Sequence, residues 1–152
     1  VCDDFEFKCC IGKKGSTRQK KEGDKKTPRG FFSLGPLYFR KDRNIKPNTK
    51  LKIININKNM GWCDDASHKK YNQLIKINKK IRYEKLFRKD YKYDFLIPIN
   101  YNAFKTEKNK GSAIFIHLTK NYQRTLGCIA LKKKDFLILL KLINSKTKIR
   151  IN

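Results

Sequence analysis

The apolar residues of this chain come in short bursts, and only one burst is spaced for a helix. Within Lys133 to Asn144, Phe136, Leu139, Leu140 and Ile143 recur at helical spacing and fall on a single face. Elsewhere the pattern alternates or runs for only a few residues, which suits strands. Strands are expected over Phe5 to Cys9, Phe31 to Phe39 (broken by Gly35-Pro36), Lys50 to Asn57, Asp94 to Ile99, Ser112 to Leu118, Cys128 to Leu131 and Lys146 to Ile151. Gly12 to Gly30 reads as a polar, lysine-rich loop, and Met60 to Asn72 as irregular chain. Many short strands with one helix near the C-terminus imply a mainly β domain. No linker or change of composition divides residues 1–152, so one domain is expected.

Composition narrows the function. The longest apolar-rich run, Phe136 to Ile143, is interrupted by Lys141 and falls far short of the ~20 residues a membrane-spanning helix needs. The formal charge of +25 suits a partner such as nucleic acid, anionic lipid or another acidic polymer. Yet the lysines are spread along the whole chain, and Lys, Ile and Asn recur together, as compositional drift would produce. No specific nucleic acid is therefore expected, although such a surface will adhere to anionic polymers at low salt.

The cysteines are Cys2, Cys9, Cys10, Cys63 and Cys128. They form no Cys-x-x-Cys pair and no zinc-like ladder, and their odd number leaves a thiol free in a monomer. If Cys9 and Cys10 lie in a strand, they face opposite sides. A zinc set built from Cys63, His68, His117 and Cys128 is not demanded by their spacing. Gly12-Lys13-Lys14-Gly15-Ser16 lacks the order of a phosphate loop, and neither a Gly-x-Ser-x-Gly elbow nor a His-Glu-x-x-His helix occurs. No secretion signal opens at Val1 and the only Met is Met60, so a chain processed or trimmed at its start is expected.

The sharpest candidate chemistry lies at His117 and Cys128. His117 ends the apolar run Ala113-Ile114-Phe115-Ile116, and Gly127-Cys128 opens the next one. Neighbouring strands joined by the intervening loop would bring imidazole and thiol within hydrogen-bond reach. A cationic imidazole would then lower the thiol pKa and supply thiolate. Gly127 permits a tight turn, and the amides near Gly127 and Cys128 are candidates for an oxyanion hole. On spacing alone, a small buried Cys and a satisfied structural His remain open alternatives.

The chain resembles the L,D-transpeptidase catalytic domain (YkuD-type), in a branch with a Gly-Trp-Cys-Asp-Asp segment. The matching stretches run in order: Gly12 to Gly15, Glu22 to Asp24, Thr27 to Phe31, Gly61 to Asp65, Tyr71-Asn72, Tyr93-Asp94, Tyr101-Asn102, Gly111 to Phe115, His117, and Thr125 with Gly127 to Leu131. Two positions depart from many relatives: Leu126 stands where a second His often precedes Gly-Cys, and Ala130 where Asn or Arg often follows the nucleophile.

The resemblance implies a β-sandwich-like fold and a cysteine acyltransferase acting on peptidoglycan stem peptides. Cys128 would attack the carbonyl ahead of the terminal D-alanine, with His117 as base. D-alanine leaves, an amine resolves the thioester, and no metal or organic cofactor is needed. Thr125, Tyr101 and Asn102, which match the family, are candidates for contacting substrate; Arg124 is a further candidate for a stem-peptide carboxylate, although a solvated loop position suits it better. Asp64 and Asp65 suit a turn better than an amine site, and Trp62 suits the core better than a cleft wall. The resemblance also implies an ordered Gly12 to Gly30 loop, a periplasmic or secreted location, and a monomer. The alternative is a non-catalytic basic module that binds RNA or another acidic polymer.

Overall fold

A computed structural model describes residues 5–152, so Cys2 lies outside the described residues. Strand accounts for 31% and helix for 7% of the chain, which makes the domain mainly β as expected.

The central sheet has six strands in the order β1 (Cys9–Cys10), β12 (Ile129–Leu131), β11 (Phe115–Leu118), β10 (Phe95–Pro98), β5 (Leu37–Phe39) and β6 (Ile53–Asn55). β11 and β12 run parallel, as do β5 and β6, and the remaining neighbours are antiparallel. The helix α1 (Lys133–Leu142) follows β12 directly.

Period-two alternation divides the strand residues between the two faces. Phe39, Phe95, Ile97, Ile116, Leu118, Ile129 and Leu131 share one core cluster with Phe136, Leu140 and Ile143 of the helical segment. The rings of Phe95 and Phe136 pack at a tilt, with centroids 6.0 Å apart. The residues between them in sequence, Tyr38, Leu96, Phe115 and Cys128, join Tyr93 and Leu86 in a second cluster on the opposite face.

That second face is covered by a three-stranded sheet, β8 (Leu74–Lys76), β7 (Met60–Cys63) and β9 (Tyr83–Lys85). The expectation of irregular chain over Met60 to Asn72 is corrected here: its first four residues are the middle strand of this sheet. The ring of Trp62 meets Phe115 and Tyr38 edge-on at 5.1 and 6.4 Å. These strands are so short that side-chain periodicity cannot reveal them, and packing against the central sheet holds them in place.

Two small pairs complete the domain: β4 (Gly30–Ser33) with β13 (Lys148–Ile151), and β2 (Ser16–Thr17) with β3 (Thr27–Pro28). The segment Phe31 to Phe39 is thus two strands, β4 and β5, on either side of Gly35-Pro36. Cys9 is exposed and Cys10 buried, as adjacent residues of a strand must be.

The Gly12 to Gly30 segment is ordered. Lys13 N–H donates to the Thr125 carbonyl, Thr125 N–H to the Ile11 carbonyl, and Gly12 N–H to Thr27 Oγ1, each at 2.9 Å. Glu22 accepts from Tyr71 Oη, and from Ser112 Oγ at 2.8 Å. The loop is therefore clamped both to the segment preceding Cys128 and to the arm that carries the three-stranded sheet. Among the described residues, no helix is long and apolar enough to cross a membrane.

Candidate active site

The register of β11 against β12 decides where His117 and Cys128 stand. His117 pairs with Ala130 and Ile116 with Ile129. Cys128 lies two residues before Ala130, so alternation puts both side chains on the face covered by the three-stranded sheet. They line one cleft of about 1290 Å³, together with Gly127, Thr125, Arg124, Leu126, Tyr93 and Glu84. Leu126, at the position where many relatives have a second His, is 67% exposed there.

The thiol and imidazole do not hydrogen-bond to each other. Cys128 Sγ donates to the Ala113 carbonyl at 3.3 Å and accepts from Phe115 N–H at 3.4 Å. His117 Nδ1 contacts the Leu118 carbonyl at 3.0 Å. A carbonyl only accepts, so Nδ1 carries the proton of the neutral ring and Nε2 keeps a free lone pair.

Charge states follow from burial. Desolvation pushes the Cys128 thiol well above its ordinary range and the charge of Glu84 adds to this, outweighing Phe115 N–H and Lys20. Desolvation pushes His117 down to about 4; the Leu118 contact opposes this, and the charges of Lys92 and Arg88 reinforce it. The expected thiolate–imidazolium pair is therefore corrected. The resting site holds a neutral thiol and a neutral imidazole, because burial penalises both ions.

The backbone around the thiol is held by polar bonds that motif reading does not supply. Ala113, whose carbonyl accepts the thiol hydrogen bond, has φ 52°, an uncommon conformation for a residue with a Cβ. Its N–H donates to Asn72 Oδ1 at 3.0 Å, and the same oxygen accepts from Trp62 Nε1 at 2.9 Å. Asn72 Nδ2 donates to the carbonyls of Tyr101 and Asn102 at 2.9 and 2.8 Å. One buried amide thus joins the arm, the nucleophile's acceptor and a distant loop.

On the other side, Gly127 has φ 147°, and a Cβ there would stand 3.0 Å from the Lys26 carbonyl oxygen. Gly127 N–H donates to Thr125 Oγ1 at 3.1 Å, and Thr125 Oγ1 donates to the Cys128 carbonyl at 2.6 Å. Of the two amides expected to hold an oxyanion, that of Gly127 is engaged in the resting site.

The other candidates separate. Arg124 is exposed on the cleft rim and donates to the Lys13 carbonyl at 3.2 Å. Tyr101 and Asn102 are not among the residues lining the cleft. Tyr101 Oη donates to the Lys110 carbonyl at 2.6 Å, and Asn102 Nδ2 to the Glu107 and Gly111 carbonyls at 2.9 and 3.0 Å, so both brace their own loop. Asp65 caps a turn by accepting from Ser67, whereas Asp64 lines the cleft and pairs with Arg82 at 3.2 Å. Cys63 Sγ lies 4.0 Å from His68 Nδ1, and no group of three His, Cys, Asp or Glu among the described residues is gathered to hold a metal ion.

Glu84 and Tyr93 line the cleft although motif reading named neither as a site residue. The Tyr93-Asp94 match was the one available signal for Tyr93; Glu84 sits in a lysine-rich stretch with none.

One family model covers nearly the whole chain. No curated protein and no solved structure matches it. The L,D-transpeptidase catalytic domain family (YkuD) matches residues 3–151, a span that takes in both central-sheet faces, the Gly12 to Gly30 clamp and the His117–Cys128 cleft. The chain belongs to the L,D-transpeptidase catalytic domain family.

Proposed function

We propose that the protein is a peptidoglycan L,D-transpeptidase working through a Cys128 thioester, with His117 as base. The observation that carries this reading is that His117 and Cys128 share one face of adjacent parallel strands and one cleft with Gly127, Thr125 and Arg124. Because the resting thiol is neutral, its proton moves to His117 Nε2 as sulfur attacks the stem-peptide carbonyl, and not beforehand. His117 then protonates the departing amine of D-alanine. An amine of a second stem attacks the thioester, the C–S bond breaks, and the thiol is restored.

Thr125 supports the turn at Gly127, and Arg124 on the rim is suited to a stem-peptide carboxylate. The chemistry requires neither a metal nor an organic cofactor. A monomer acting in the periplasm or outside the cell fits this substrate, and the +25 charge helps it adhere to anionic envelope polymers.

The test is D-alanine release from a tetrapeptide stem with a second stem as acceptor. Wild type releases D-alanine, Cys128→Ser abolishes release, and His117→Ala lowers it by roughly two to four orders of magnitude. Release that survives both substitutions would move the chemistry elsewhere. No release by folded wild type would favour the basic binding module.

A further inference from the structure

When ionised, the Glu84 carboxylate opposes the first chemical step. It lies on β9 opposite Trp62, keeps partial exposure, and lines the same cleft as Cys128 and His117. In a chain with 38 Lys and Arg residues, its carboxylate has no ion-pair partner among the described residues. Tyr93 Oη donates to it, and the Tyr93 ring meets His117 edge-on at 5.3 Å. Arg88, the cation that acts on Glu84, is itself held by both oxygens of Asp90.

Desolvation raises the Glu84 pKa, and the charges of Asp64 and Glu22 reinforce this against Tyr93 and Arg88. A negative charge here disfavours thiolate at Cys128, so it hinders acylation. Once the sulfur is acylated that penalty disappears, and the same charge becomes complementary to a cation arriving at the thioester.

The geometry points to Glu84 as the catalytic carboxylate of the second half-reaction: held by Tyr93, it receives the acyl acceptor's ammonium group and takes its proton. This rests on the transpeptidase reading. The acceptor R–NH3+ gives one proton to Glu84, and its freed lone pair attacks the thioester carbonyl. The C–N bond forms and the C–S bond breaks. A second nitrogen proton passes through His117 to the sulfur, restoring the thiol, and Glu84 releases its own proton to water. Amide, thiol and one proton are the products.

The experiment separates the half-reactions. Acyl-enzyme is formed from a tetrapeptide stem, followed by intact mass, and chased with either of two acceptors. One is a stem peptide bearing a side-chain ammonium; the other is hydroxylamine, which is uncharged at neutral pH. In Glu84→Gln, transfer to the ammonium acceptor falls about 100- to 1,000-fold. Acylation is as fast as in wild type or faster, since the opposing charge is gone, and transfer to hydroxylamine stays within about threefold, on the scale of a single lost contact. Tyr93→Phe, which keeps the carboxylate but removes its hydroxyl partner, shows the same acceptor selectivity at about tenfold. It serves if Glu84→Gln does not fold. Equal losses with both acceptors, equal losses in acylation and transfer, or no loss would each overturn the assignment while leaving the transpeptidase reading intact. Absence of acyl-enzyme in wild type would overturn both.

Discussion

The two faces of the central sheet are built from the same strands and held by different physics. The helix face is packed by aliphatic side chains and phenyl rings, with Phe136 and Leu140 fully buried and Tyr91 and Tyr101 only partly buried at its margin. The opposite face mixes Phe115 and Leu96 with Tyr38, Tyr93, Trp62 and the Cys128 thiol, and its order comes from named hydrogen bonds through Asn72, Glu22 and Glu84. Apolar packing tolerates many sequences of the right volume, whereas a polar network must be complete, since each missing partner strands another buried group. The candidate site sits on the face where directional bonds can hold a thiol and an imidazole in register.

The contrast is broken most severely on the helix face. Phe136→Ala removes a fully buried ring between the sheet and the helix and is expected to cost about 3–5 kcal/mol in urea unfolding. A loss below about 1 kcal/mol would mean that the helix face is not the main store of stability.

The next effect is a pH dependence that belongs to the polar face alone. His117 is buried, and its pKa is lowered from 6.5 to about 4, with Lys92 and Arg88 reinforcing the shift and Asp90 opposing it. Between those values the unfolded chain binds a proton that the folded chain refuses. Its contribution is therefore complete above pH 6.5 and is lost as pH falls towards about 4, by roughly 3 kcal/mol at most. Asp24 and Asp90, whose pKa values are lowered, also cost stability as pH falls, so the readout is the difference between wild type and His117→Gln. Parallel stability curves for the two proteins would rule out a buried neutral imidazole.

Asn72→Ala sharpens the comparison, because it touches stability and chemistry together. Trp62 Nε1–H, Ala113 N–H and two loop carbonyls lose their partner, and a residue at φ 59° loses a side chain suited to it. A loss of roughly 2 kcal/mol is expected, with acyl-enzyme formation down more than about tenfold at a temperature where the protein stays folded. Retained acylation would show that Asn72 supports the arm without setting the Ala113 carbonyl for the thiol.

The smallest effect is expected at Arg82→Ala. Its pair with Asp64 lies on the cleft edge, with the Arg82 side chain 64% exposed, and such pairs contribute about 0–1 kcal/mol. Chemical unfolding beside wild type checks this, and a larger loss would extend the polar network to the surface.

The sequence by itself determined the elements whose pattern is long enough to read. The helix near Lys133 to Asn144, the strands around Phe95, Phe115 and Ile129, and the ordered His117 and Gly127-Cys128 motif were all legible, because alternation and motif order are local properties. Met60–Cys63, Leu74–Lys76 and Tyr83–Lys85 were not, since three or four residues carry no period and become strands by packing on Phe115 and Tyr38. Tertiary structure alone decided that Tyr101 and Asn102 brace a loop outside the cleft, that Glu84 lines the same cleft as Cys128, and that the resting thiol and imidazole are neutral. Protonation depends on how much water and charge surround a group, and those surroundings come from segments far apart in the chain.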